Sequence, residues 1–187
     1  MTISDIRDVI LTELRAVFQT INNDESDLLV KSILKADRVF VSGQGRSGFV
    51  MRSFAMRLMH LGLEAFVVGE TITPSIGTGD LLIVGSGSGE TLGSLLAARS
   101  AKGAGARVAA ITSRRESSLA EVSDLVLIIP VKSAKVVGAP GISSTIQPLG
   151  SLAEQSLFIY LDCIIVRLMK EMDCCSEGIF QRHANIE

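Results

Sequence analysis

The chain has 187 residues and is 47% hydrophobic, 20% charged and only 4% aromatic, with a formal net charge of −2. Its apolar share is mostly Leu, Ile, Val and Ala, a mixture suited to a parallel sheet wrapped by helices, in one domain that needs no disulfide or metal staple. That charge excludes a global positive field for nucleic acid or an anionic membrane, so a bound anion must be held by a local site.

Ile3, Ile6, Ile10, Leu14 and Val17 recur at three- and four-residue steps, which predicts an amphipathic first helix. The acids Asp5 and Asp8 stand where a secretion signal would carry basic residues. A second helix is expected from about Asp24 to Ala36, with acids in its first turn and Lys35 in its last. The period then changes. Short apolar runs at Arg38–Ser42, Glu64–Val68, Leu81–Val84, Arg107–Thr112 and Leu125–Pro130 read as five buried strands. Helices are expected between them, from the loop at 43–48 to Leu61 and over Glu90–Lys102. The alternation predicts an α/β fold, a three-layer α-β-α sandwich on a five-stranded parallel sheet, with the flavodoxin-like order 2-1-3-4-5.

Residues 132–147 read as a long Gly/Ser/Ala-rich loop, a candidate for movement. Pro148 suits the first turn of a long last helix ending near Met172. That helix is apolar nearly all round, so one side should meet the sheet and the other a second subunit. Leu157–Met169 is too short and too charged to span a bilayer, and three cysteines without zinc spacing fit a reducing compartment. The expected chain is therefore cytoplasmic, with no membrane or nucleic-acid partner. It divides into N-terminal helices at 1–36, a sheet core at 37–131, a long helix at 147–173 and a tail at 174–187.

In such sheets ligands sit beyond the carboxyl ends of the strands, at the switch point between strands 1 and 3. Both of those strands end in Gly/Ser loops. Ser86-Gly-Ser-Gly-Glu-Thr91 offers flexible glycines, hydroxyl donors and a helix N-terminus, a set suited to a phosphate monoester without lysine or metal. The first loop, Gly43-Gln-Gly-Arg-Ser-Gly48, spells a dinucleotide fingerprint, with Glu70 in place for a ribose. A nicotinamide enzyme would need a second domain, however, and has no use for the hydroxyl-rich second loop.

VSGQGRSG followed by VGSGSGET resembles the sugar isomerase (SIS) domain from about residue 5 onward. GRSG, QPLGSLAEQS and the terminal RHANIE resemble, within it, the 6-phospho-3-hexuloisomerase family. The resemblance implies interconversion of D-arabino-hex-3-ulose 6-phosphate and D-fructose 6-phosphate, a place in formaldehyde fixation by the ribulose monophosphate pathway, a homotetramer and no cofactor. It also implies a phosphate site at Ser47, Ser86, Ser88 and Thr91, with Gly87 and Gly89 in the same loop, and a catalytic base at Glu154. Glu154 would lie about two turns into the last helix, among Leu152, Ala153 and Leu157, which suits a proton shuttle. His183 is a second acid–base candidate, delivered across a subunit boundary. Arg46 pairs with the phosphate or with a neighbouring subunit. His60 reads as compensating a helix dipole, Glu90 as a local helix-start charge, and Cys163 and the methionines of the third helix as core. Two alternatives stand beside this reading. One is a phosphosugar-sensing regulatory module, which would need a DNA-reading segment; the other is an arabinose 5-phosphate or heptose phosphate isomerase.

Overall fold

The computed structural model describes residues 1–131, 145–174, 178 and 181–186. Most of the expected 132–147 loop lies outside the described residues, as does Cys175. Five parallel strands form one sheet: β1 (Val39–Gly43), β2 (Ala65–Val67), β3 (Leu81–Gly85), β4 (Arg107–Thr112) and β5 (Leu125–Ile128). Their order is β2-β1-β3-β4-β5, as the alternating pattern predicts.

Strand periodicity divides the core in two. Val39, Val41, Leu81, Ile83, Ala109 and Ile111 point to one face, where α2 (Asn23–Lys35), α3 (Gly45–His60) and α6 (Ser151–Glu171) cover them. Phe40, Leu82, Val84, Val108 and Ala110 point to the other, under α4 (Leu92–Gly103) and α5 (Ser118–Val122). The first helix, α1 (Ile3–Phe18), inserts Leu14 and Val17 into the first of these clusters and packs along α6. No described helix is long and apolar enough to cross a membrane.

Several local expectations are corrected. The last helix starts at Ser151 rather than at Pro148, because Gly150 is left-handed (φ 86°) and Pro148 O accepts from Ser151 N in a turn. Glu154 is therefore in the first turn of α6, not two turns in. Helix α4 begins two residues later than expected, at Leu92, since Gly89 (φ 68°) interrupts the loop. The five-residue α5 was not anticipated, although the serine before it was its signal: Ser117 Oγ accepts from Ala120 N.

Four side chains also sit differently. Cys163 lies on the exposed side of α6, not in the core. Met51 is core, but Met56 and Met59 on the same helix are exposed. His60 is only 2% exposed. Burial, and then the charges of His183 and Arg57, lower its pKa, so at neutral pH it is uncharged and compensates no dipole.

Candidate functional site

A cavity of about 220 Å³ opens beyond the carboxyl ends of β1 and β3, at the predicted switch point. Three helices aim their N-termini at it. The start of α3 brings Gln44, Arg46 and Ser47; the loop into α4 brings Ser86, Gly87, Ser88 and Thr91; the start of α6 brings Gly150, Ala153 and Glu154. Ser113 and Leu149 complete the wall.

Capping separates these helices from the rest. α1, α2 and α5 each have a side-chain cap, from Thr2, Asn22 and Ser117. α3, α4 and α6 have none: Gln44, Thr91 and Gly150 make no side-chain bond to the first-turn amides. Uncapped N–H groups with the positive ends of three helix dipoles make a corner whose electrostatics suit an anion.

The second loop is shaped to present its hydroxyls. Gly87 O collects Ser113 N (3.1 Å), Thr112 Oγ1 (3.3 Å) and the Ser113 hydroxyl, which pins the loop to the end of β4. Ser88 Oγ accepts from Glu90 N at 3.2 Å, leaving its own proton free to donate to a ligand. Ser86 and Ser88 are buried, and Ser86 Oγ lies 3.4 Å from Thr91 Oγ1. Gly89 does not line the cavity; its left-handed turn seats against Ser117 and Thr112, where a Cβ would collide. Glu90 points away from the cavity and accepts from Ser118 N (3.1 Å) and Ser118 Oγ (2.7 Å). These donors, with Arg114 nearby, hold its carboxyl below the ordinary range, a local role as expected.

The cation and the carboxylate meet. Arg46 Nη1 lies 2.9 Å from Glu154 Oε2 and donates to Ser151 Oγ at 2.7 Å. The N–H is directed at the hydroxyl, so Oε2 has a charge contact without a directed hydrogen bond. Leu152 and Leu157 turn into the core, so Glu154 faces a guanidinium rather than the apolar surroundings expected. Sequence spacing gave no sign of this pairing across more than a hundred residues.

His183 is not brought to this cavity in its own chain. Its ring stacks on His60, with centroids 5.2 Å apart, at the far end of α3. Sixteen residues of α-helix separate that end from the cavity, about 24 Å at 1.5 Å per residue. Glu70, the candidate ribose acid, pairs with Arg52 outside the cavity. Gln44, Ser113, Leu149 and Gly150 were not anticipated as wall residues. For Ser113 the signal was its place directly after β4, beside the switch point.

Comparison with known proteins gives a consistent picture. The SIS domain family model matches residues 32–157. A 3-hexulose-6-phosphate isomerase of Bacillus subtilis is 44% identical over 183 residues, covering 95% of each chain. One from Mycobacterium gastri is 44% identical over 167 residues, covering 89% of this chain and 82% of its own. A solved Methanococcus jannaschii protein, whose crystal structure was taken to infer a 3-hexulose-6-phosphate isomerase, superposes with a TM-score of 0.84 at 35% identity. That match covers 96% of this chain and 98% of the other.

Proposed function

The chain belongs to the SIS domain family, and from that premise we propose that it interconverts D-arabino-hex-3-ulose 6-phosphate and D-fructose 6-phosphate. One observation carries the reading. Three uncapped helix N-termini and a buried hydroxyl loop converge on a cavity that, among the described residues, also holds one carboxylate, Glu154, beside Arg46. The first set suits a phosphate dianion; the carboxylate suits a proton transfer a few ångströms away.

In this mechanism Ser47, Ser86, Ser88 and Thr91, with the Gly87 backbone, grip the phosphate, and Gly89 sets the turn that makes the grip. Glu154 removes the proton from C2 of the 3-ketose, giving a 2,3-enediol, and returns a proton to C3. Both carbons lie on one bond, so one carboxylate serves both transfers. Arg46 binds the substrate on the side where negative charge develops at the enediolate oxygens. The grip contributes by positioning, since the phosphate anchors the C2–C3 bond under the carboxylate.

His183 belongs in this scheme to a neighbouring subunit's cavity, where it would handle hydroxyl protons during opening of the fructofuranose ring. A homotetramer is the assembly proposed for that exchange. Exposed Phe49, Phe158, Ile159 and Val166 on α3 and α6 support it, being large apolar side chains without cover in one chain. The activity would place the protein in the cytoplasm, in formaldehyde fixation through ribulose monophosphate chemistry.

The test is exchange in heavy water with fructose 6-phosphate and no added cofactor. Deuterium should appear at C3 of the recovered ketose. Label confined to C1 would mean an aldose–ketose isomerase, and no label would mean a sensor.

A further inference from the structure

Glu13 stands on α1, outside the cavity, yet its carboxylate gathers three donors from a single tripeptide. Thr145 Oγ1 donates at 2.8 Å, Ile146 N at 2.9 Å and Gln147 Nε2 at 2.8 Å. Burial pushes the Glu13 pKa up, but these bonds outweigh it and the net shift is downward. At neutral pH the group is therefore an acceptor only, as the three donors require.

The tripeptide has no helix or strand of its own and leads directly to the catalytic wall. Next come Leu149 and Gly150, which line the cavity. Pro148 O accepts from Ser151 N at 2.9 Å, and Gly150 O accepts from Glu154 N at 3.0 Å. Ser151 Oγ in turn receives Arg46 Nη1. A continuous run of bonds thus connects Glu13 to the Arg46–Glu154 pair. Helix α1 does not need Glu13 for its own seat, which Leu14 and Val17 provide from the core. Gln147 is buried while Thr145 and Ile146 are exposed, so the strap they form has little apolar packing to hold it.

We propose that Glu13 is a positioning residue for the isomerisation: it clamps the 145–147 strap and thereby sets the start of α6 and the place of Glu154. The inference rests on the reading that Glu154 is the base. Phosphate contacts come from α3 and the loop into α4, which the strap does not hold, so the clamp should govern turnover more than binding.

The experiment compares the full-length protein with Glu13→Gln, which supplies one acceptor oxygen instead of two and places an NH2 against the donors. Fructose 6-phosphate sites are counted by calorimetric titration, so that kcat refers to competent sites alone. The expected result is a fall in kcat of about 10–100-fold, the scale of a small misplacement of a catalytic group, with KM changed by less than about two-fold. Hydrogen exchange of the 145–150 backbone should quicken while α1 keeps its protection. Thr145→Val, which removes the donor to Glu13 together with the acceptor of Gln147 N and leaves α1 untouched, should show the same split at a few-fold, and its effect should not add fully to that of Glu13→Gln. Wild-type kcat per competent site in both variants would overturn the proposal, as would unchanged exchange of the strap, whatever the activity. A wild-type protein that binds fructose 6-phosphate without exchanging its C3 proton would instead overturn the isomerase reading, with strap exchange still deciding the clamp.

Discussion

The amino and carboxyl edges of the sheet treat their polar groups in opposite ways. At the amino ends of β3 and β5 an acid is answered by several donors. Asp80 takes Arg38 Nε at 2.9 Å, Arg38 Nη2 at 2.7 Å and Gly77 N at 2.7 Å. Asp124 takes Lys102 Nζ at 2.6 Å and Val108 N at 2.8 Å. At the carboxyl edge hydroxyls and helix N-termini are gathered and left with capacity to spare. A closed polar network stabilises a fold; an open one, held rigid by its surroundings, is prepared for a ligand. Substitutions at the two edges should therefore separate cleanly into stability effects and activity effects.

The largest effect is expected at the open edge. Glu154→Gln should reduce kcat by about 10²–10⁴-fold while fructose 6-phosphate still binds in calorimetry; near-normal turnover would remove Glu154 from the chemistry. Next comes the closed edge. Asp80→Asn removes the charge of a buried carboxylate that holds Arg38 and Gly77 N, and should lower the thermal midpoint by about 2–4 °C with kcat/KM unchanged at 25 °C. This contribution has a defined pH range. Arg38 foremost, with help from Gly77 N and against burial, holds the Asp80 carboxyl below its ordinary value. The advantage of wild type over Asp80→Asn should therefore be full at neutral pH, where the unfolded acid is also ionised. It should disappear only as pH falls below about 4 and through the folded pKa. An advantage that already fades at pH 6 would point to some other group.

Ser88→Ala removes one donor from the open edge and should weaken fructose 6-phosphate binding by about 1–2 kcal/mol with the melting midpoint unmoved. Unaltered affinity would count against the phosphate grip. The smallest effect belongs to Lys102→Gln, whose partly exposed pair with Asp124 should be worth less than about 1 kcal/mol. A melting midpoint lowered by as much as in Asp80→Asn would show that exposure does not distinguish the two pairs.

How much of this was legible follows from the range of each interaction. The strands and their order could be read because apolar alternation and Gly/Ser loops are written within a few residues of one another. The Gly/Ser loop after β3 was visible for the same reason. Arg46 against Glu154, and Glu13 against residues 145–147, are contacts across more than a hundred residues and leave no local mark. The place of His183 was invisible for a related reason, because RHANIE resembles a family motif without saying which cavity the ring reaches. Glu154 was placed correctly on the last helix and wrongly within it, since the signal that mattered was the left-handed Gly150 and not the proline.

Met51 suggests where the substrate range of this protein can and cannot be redesigned. β1 and β3 end at Gly43 and Gly85, paired in register, and the Met51 thioether fills the space their missing side chains leave. A methyl group on Gly85 would come within 2.7 Å of Met51 Sδ, and one on Gly43 within 3.0 Å of its Cγ. Gly85 lines the cavity with Met51 and Leu157 packed close behind it, so directed evolution toward longer or shorter sugars should collect its tolerated changes at Gln44, Leu149 and Ala153 on the walls.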